Sequence, residues 1–350
     1  MLVKNETLTG IGPLPDDHPP VNCGKVGVLL VNLGTPDGYD KKNMYKYLRE
    51  FLTDSRVIEW PKLLWYPILY GIVLNVRPAK SGAAYQTIWN HELGESPLRT
   101  FTRSQSDKLT ELLSAHKHVL VDWAMRYGNP SIPSRLDALK EAGCDRIVIF
   151  PLYPQYSAAT TATVNDKVFG HLMKMRWMPA IRTVPPYHDH PAYIDALANS
   201  IETAIETMPK RPEKIIASYH GIPQSYFQKG DPYHCHCHKT TRLLRQRLGM
   251  DDDYLITTFQ SRFGPEEWLQ PYTDKTIEEC AKEGLKDIAV FNPGFSADCL
   301  ETLEEIAGEG EEIFHEHGGE NFTHIPCLND SEDGMELIET LIRRELSGWI

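Results

Sequence analysis

Two short stretches carry residues that can do chemistry together. One is Ser218-Tyr219-His220-Gly221-Ile222-Pro223; the other begins Asp298-Cys299-Leu300-Glu301 and continues through Glu305, Glu309 and Glu312. Each follows an apolar run, Lys214-Ile215-Ile216-Ala217 and Ile288-Ala289-Val290-Phe291, that reads as a buried strand. Ligands of open α/β sheets sit beyond the carboxyl ends of the strands, so an imidazole and a row of carboxylates are aimed at one cleft. An imidazole titrates near neutrality and can take a proton or offer a lone pair to a metal. Carboxylates beside it suit proton transfer and transient cation handling.

Each feature also has a plain structural reading. His220 can be a strand-end histidine bonded to backbone. Asp298 can be a helix N-cap with Glu301 as its N3 partner, which needs no function. Against that, Asp298, Glu301, Glu305, Glu309 and Glu312 recur at three- and four-residue spacing and would form one stripe on an α-helix. Such a stripe is either a solvated acidic face or a path for cations and protons. Tyr153-Pro154-Gln155-Tyr156-Ser157, with Thr160-Thr161, places hydroxyls after a strand, as ligand contacts or as turn residues. His234-Cys235-His236-Cys237-His238 invites a metal-site reading, but its spacing is poor for zinc, and an extended segment would alternate these side chains between two faces. Neither a Gly-x-Gly-x-x-Gly after the first strand nor a P-loop is present, so nucleotides lack their usual fingerprints.

The elements that must position these groups alternate. Strand-like runs fall at 25–33, 118–126, 145–152, 180–184, 214–219, 254–258 and 287–291, with helical patterns at 133–142, 192–208, 240–248, 273–284 and 333–346. This is α/β organisation with parallel sheets. Both halves contain a helix, a Gly and a strand ending in an apolar-Pro turn, at 143–151 and 284–293, which suggests two doubly wound domains around a cleft. The expected division is an arm at 1–24, a first domain at 25–178, a second at 179–330, and a terminal helix at 331–350 crossing back to the first. Residues 60–76 are unusually apolar and aromatic, yet the run is too short to span a bilayer and holds a Lys and two prolines at its start. They form either a core helix broken at Pro67 or an aromatic lip that covers a large apolar ligand or meets a membrane surface.

Bulk properties narrow the field. At 350 residues the chain has room for two cores, and it is 41% hydrophobic and 24% charged. A net charge of -12 argues against nucleic acid and against a polybasic membrane anchor. The first 24 residues lack the apolar core of a secretory signal, so the seven cysteines are expected as reduced thiols and the protein as cytoplasmic.

The ordered set Val31-Asn32-Leu33-Gly34-Thr35-Pro36, Leu152 to Ser157, Ser218 to Pro223, Gly230-Asp231-Pro232-Tyr233, Ser261-Arg262-Phe263-Gly264-Pro265 with Trp268-Leu269, and Pro293-Gly294-Phe295 with Glu301 to Glu305 closely resembles the ferrochelatase family. The resemblance runs from about Val26 to the C-terminus. It implies two Rossmann-like domains that bind no dinucleotide, and insertion of Fe²⁺ into protoporphyrin IX as the last step of haem synthesis. It implies that His220 is the essential histidine on one porphyrin face, that Glu301 is the opposing carboxylate, and that Glu305 follows along the acidic helix, all three handling metal. It assigns Leu33, Tyr127, Tyr153, Trp268 and Phe295 to the pocket, and Arg126 and Ser157 to the propionates. Residues 60–76 become the apolar lip, with peripheral contact to the inner face of the cell membrane.

Iron is then substrate, with Zn²⁺ or Co²⁺ as surrogates, because imidazole and carboxylate do not single out iron by affinity. Two departures stand out. Cys299 occupies a position where many relatives carry His. Some members bind a [2Fe–2S] cluster through C-terminal cysteines and one in the Tyr-Pro-Gln-Tyr-Ser region; here the chain ends Leu346-Ser347-Gly348-Trp349-Ile350 and Ala158 holds the other position, so no cluster is expected. Three rival readings are a chelatase for a more carboxylated tetrapyrrole, a porphyrin carrier with His220 as axial ligand, and a nucleotide-dependent enzyme. The apolar lip, the acidic row and the missing glycine fingerprint speak against them in turn.

Overall fold

The run Val26–Val31 is fully buried, with apolar side chains on both faces. That is how a strand inside a helix-covered parallel sheet reads. The computed structural model describes residues 21–350 and Asp17; the rest of the expected arm at 1–24 lies outside the described residues. Strands β1 (Lys25–Thr35), β2 (Val119–Gly128), β3 (Cys144–Pro151) and β4 (Ala180–Thr183) pair in parallel in the order β2-β1-β3-β4. Strands β5 (Lys214–His220), β6 (Leu255–Gln260), β7 (Asp287–Phe291) and β8 (Asn321–Ile325) repeat that order as β6-β5-β7-β8. In each sheet the winding reverses between the first and third strands, which opens a crevice at their carboxyl ends.

The helices of the first half are α1 (Lys41–Leu52), α2 (Lys62–Ile68), α3 (Leu74–Ile88), α4 (Pro97–Leu112), α5 (Ile132–Glu141) and α6 (Thr163–Leu172). Then come α7 (Pro191–Thr207), α8 (Gln224–Gln228), α9 (Tyr233–Leu248), α10 (Thr273–Lys282), α11 (Leu300–Leu303), α12 (Glu311–Glu316) and α13 (Glu332–Leu346). The largest core is shared by both sheets: Val28, Leu30 and Phe150 from the first and Ala217, Tyr219 and Phe259 from the second belong to one cluster. Helix α13 packs against α7, α4 and β3 and so ties the end of the chain to the first sheet.

Three expectations need correction. Strand β4 lies beyond residue 178 and yet pairs with β3, because Ile181 and Thr183 match Ile147 and Ile149 in register. Strand β8 has no strong sequence signal, since Asn-Phe-Thr-His-Ile is a short, half-exposed edge. Helix α9 starts at Tyr233 and not near Thr240, because Asp231 Oδ1 accepts from Tyr233 N at 3.0 Å and Pro232 precedes the first turn.

The apolar segment is continuous helix. Pro67 sits inside α2 without ending it; a π-helical turn, Leu69–Val73, follows and leads into α3. Asn75 Nδ2 donates to the carbonyls of Tyr70 and Gly71, each at 3.0 Å, and satisfies part of that irregular turn. One face buries Trp65, Leu69 and Leu74, while Leu63, Leu64, Ile72 and Val76 stand in solvent. Among the described residues no helix is long and apolar enough to cross a membrane.

Candidate active site

The imidazole is set by its own backbone. His220 ends β5, opposite Gln260 at the end of β6 in the parallel register. Its Nδ1 lies 2.6 Å from the Gly221 carbonyl, which can only accept, so Nδ1 carries a hydrogen, and in the neutral ring the lone pair is on Nε2. Gly221 is required here: a Cβ would meet the Gln260 carbonyl at 2.9 Å and the Trp268 ring at 3.1 Å. Trp268 in turn donates Nε1–H to Phe263 O at 2.9 Å, and its ring centre lies 6.4 Å from that of His220.

The acidic side differs from the expected capping scheme. Cys299, not Asp298, is the N-cap of α11, and Thr302, not Glu301, closes the box: Thr302 Oγ1 accepts from Cys299 N at 3.1 Å and donates to Asp298 Oδ1 at 2.9 Å. Asp298 is buried and also accepts from Asn329 Nδ2 at 2.6 Å. It therefore leaves the stripe, while Glu301 is freed from any capping duty. The stripe is not one α-helical face either. A π-helical segment, Glu305–Gly310, follows α11, with Glu309 N bonding to Glu304 O at 2.9 Å. The extra residue in that turn shifts every later carboxylate around the axis. Glu309 and Glu312 end up exposed, and Glu301 and Glu305 are half-buried.

Glu305 is the most tightly held of these groups. Ser261 donates its N–H at 2.7 Å and its hydroxyl at 2.5 Å, and Gln260 Nε2 lies 3.3 Å away. Burial pushes the carboxyl above its ordinary range; Ser261 and the charge of His220 pull it back, and Glu301 adds to the rise. Ser261 adopts φ 65, a left-handed conformation rare outside glycine, to aim both donors at one carboxylate. Burial also raises Glu304, helped by Glu309, Glu305 and Glu301. Behind this layer, Gln260 Oε1 accepts from Ser218 Oγ at 2.6 Å and Asn292 Nδ2 at 2.7 Å.

The opposite wall comes from the first sheet. Gly34 has φ 119, and a Cβ there would lie 1.9 Å from Tyr127 O, so β1 and β2 approach closely beneath Leu33 and Tyr127. Tyr153 is buried and its hydroxyl has no hydrogen-bond partner in the protein. Phe295 packs beside Leu98, Met125 and Cys299. Arg126 is buried and committed internally: it pairs with Asp54 and donates Nε–H to Thr163 Oγ1 at 2.7 Å. Tyr127 donates to the same Asp54 oxygen at 2.9 Å. Ser157 is likewise engaged, donating to Asp231 Oδ2 at 3.0 Å. Among the described residues no three His, Cys, Asp or Glu side chains converge as a metal site, so His220, Glu301 and Glu305 do not form a closed triad.

The His-Cys segment is helical, which overturns the alternating-face picture. His234 and His238 lie one turn apart on α9 with ring centres 4.3 Å apart, and His236 stacks on His188 at 3.6 Å and 7°. His236 Nδ1 accepts from Tyr156 N at 3.2 Å, and Asp231 accepts from Ala158 N at 2.7 Å. This segment holds the 153–158 loop. Sequence reasoning missed Asp54, Gln260 and Asn292. Gln260 had one available signal, its place between a strand and the Ser261-Arg262-Phe263-Gly264 turn; Asp54 had none.

Comparison with known proteins covers nearly the whole chain. The family model described as Ferrochelatase matches residues 25–346. A protein named Ferrochelatase from Allorhizobium ampelinum is 66% identical over 340 residues, covering 97% of this chain and 99% of that one. One of the same name from Agrobacterium fabrum is 66% identical over 342 residues, covering 98% and 99%. Among solved structures, SirB from Bacillus subtilis with Fe3+ superposes with a TM-score of 0.54 at 11% identity, covering 91% of this chain and 95% of that one. The sirohydrochlorin chelatase SirB in complex with cobalt gives 0.52 at 10% identity, over 91% and 94%. At such identity these two speak for the two-sheet fold alone.

Proposed function

The chain belongs to the ferrochelatase family, and from that premise we propose how its cleft works. It is a porphyrin metal chelatase, a lyase that inserts Fe²⁺ into protoporphyrin IX to give protohaem, the last step of haem synthesis. Four Fe–N bonds form, two pyrrole N–H bonds break, and two protons leave. A free-base ring resists this because its nitrogen lone pairs point inward. Binding energy from the periphery must therefore be spent on bending the ring.

In our reading His220 Nε2 takes protons on one face, and Glu301 and Glu305 relay iron or protons on the other. The observation that carries this is the Nδ1–H bond to Gly221, which leaves Nε2 as a fixed base at the end of β5. An open donor set suits the task, since ligands that close around iron would not release it to the ring. Leu33, Tyr127, Tyr153, Trp268 and Phe295 are proposed as walls. Arg126 and Ser157 are proposed as propionate contacts, which requires exchange of their present partners Asp54 and Asp231. The two jaws are one Rossmann-like unit per sheet, with the boundary after β4.

We further propose that the exposed apolar face of residues 60–76 touches the cytoplasmic face of a membrane, that Zn²⁺ and Co²⁺ serve as surrogate substrates, and that neither a [2Fe–2S] cluster nor a nucleotide takes part. The deciding experiment is anaerobic metallation. Wild type should convert protoporphyrin with Fe²⁺. His220→Ala should lose at least about a hundredfold in rate while still quenching porphyrin fluorescence on binding. No metallation by wild type with either Fe²⁺ or Zn²⁺, or full activity in the variant, would defeat the reading.

A further inference from the structure

Helix α9 carries two neighbouring imidazoles that have no hydrogen-bond or ion-pair partner among the described residues. His234 and His238 stand one turn apart, with ring centres 4.3 Å apart and planes inclined at 48°. His236, between them in sequence, is by contrast committed to Tyr156 N at 3.2 Å. His234 is half-buried and His238 exposed, so water reaches the pair. Apolar rings flank them: Phe227 lies 5.0 Å from His234, and Phe259 lies 6.0 Å from His234 and 6.1 Å from His238. These neighbours restrict the imidazole planes without competing for the ring nitrogens.

Spacing of four residues puts two side chains on one helix face, as in the H-E-x-x-H helices that bind zinc. A ring nitrogen about 2.1 Å from a metal places its ring centre roughly 3.2 Å from that metal. Two centres 4.3 Å apart then subtend close to a right angle at the metal, the cis angle of a six-coordinate ion. Burial lowers the pKa of His234, which favours its neutral, ligating form. Among the described residues no third His, Cys, Asp or Glu joins the pair, so water fills the remaining positions and the ion can exchange. Imidazole pairs take Zn²⁺ and Cu²⁺ ahead of Fe²⁺. We propose that His234 and His238 form a surface site for a divalent cation of the Zn²⁺ or Cu²⁺ class, outside the set of His220, Glu301 and Glu305. The bound ion staples the first turns of α9, next to Asp231 and His236, which hold the 153–158 loop.

The test uses the full chain, metal ion alone and no porphyrin, at about pH 7.5, where both rings are neutral. His220→Ala serves as the background, since it removes the imidazole of the cleft. Equilibrium dialysis should still find a Zn²⁺ site in that protein, and adding His238→Gln should weaken it at least about tenfold. His234→Gln should do the same, and it serves if the first variant fails to fold. Stoichiometric Cu²⁺ should show hyperfine coupling to two ring nitrogens by electron paramagnetic resonance, and the signal should change in either variant. Zn²⁺ should also raise the melting temperature of the background protein more than that of the variants. Unchanged Zn²⁺ affinity in both variants, or an unchanged Cu²⁺ signal, would overturn the proposal. Porphyrin metallation by His238→Gln alone should match wild type; a loss there would place the pair in the cleft chemistry and overturn the separate site.

Discussion

Gln260 Nε2 lies 2.7 Å from the main-chain oxygen of Glu301 and so ties the end of β6 to the first turn of α11. The same amide group reaches Glu305 on one side and, through its oxygen, Ser218 and Asn292 on the other. Glu301 and Glu305 are therefore both held by one buried side chain, on the strand whose end pairs with that of His220.

Replacing Gln260 by Leu removes this link at nearly constant volume. The Asn292 amide and the Glu301 carbonyl each lose a close partner. A buried polar group left unpaired costs about 1–3 kcal/mol. Gln260→Leu should lower stability by about that amount and slow metallation at least tenfold, with porphyrin binding kept. Denaturant unfolding and steady-state rates measure both; unchanged rates would show that the alignment of Glu301 does not depend on Gln260.

The lip predicts a second outcome. Leu63 is 90% exposed, and Leu64, Ile72 and Val76 stand beside it in solvent. Burying one such side chain in a bilayer interface gains at most about 1.5–3 kcal/mol. Leu63→Ser with Ile72→Ser should cut co-sedimentation with lipid vesicles at least tenfold and leave the metallation of micellar porphyrin intact. Equal vesicle binding by both proteins would remove the membrane role.

Much of this was legible in the chain. The seven strands read from apolar runs are present, because strands buried on both faces leave continuous hydrophobic stretches. The edge strand Asn321–Ile325 is not legible in that way because it is half-exposed, and in the apolar segment Pro67 suggests a break that the helix does not make. His220 and Glu301 could be picked out by type and position. The pairing of Arg126 with Asp54 could not, because residues 72 apart meet only through the fold. Nor could the π-helical turn at Glu305–Gly310, since periodicity assumes 3.6 residues per turn and the acidic spacing fits that assumption.

Metal choice gives a third prediction. The proposed donors are one imidazole nitrogen and two carboxylates, and Zn²⁺ and Co²⁺ bind such groups at least as well as Fe²⁺ does. Purified protein should insert Zn²⁺ aerobically at a rate within about tenfold of anaerobic Fe²⁺ insertion. Porphyrin absorbance follows both reactions. Exclusive use of Fe²⁺ would require a selecting group beyond His220, Glu301 and Glu305.

Acid should loosen the loop behind Tyr153. His188 and His236 stack at 3.6 Å, so both rings cannot carry charge comfortably. Burial, then the neighbouring His236, pulls His188 down to about 4, with Asp189 opposing and Lys239 assisting. Burial lowers His236 as well, against Asp189 and Asp231. The unfolded chain therefore binds protons more readily than the folded one. The stability linked to His188 is complete above its unfolded value of about 6.5 and drains away as pH falls from there towards 4. By pH 5 the loss from this group amounts to about 2 kcal/mol. Protonation of His236 at Nδ1 would also break its bond to Tyr156 N, which releases the turn leading to Ser157. His188→Asn should start less stable at pH 7 but lose less on going to pH 5, by roughly that 2 kcal/mol. Urea unfolding of both proteins at the two pH values decides the matter; parallel losses would place the acid sensitivity elsewhere.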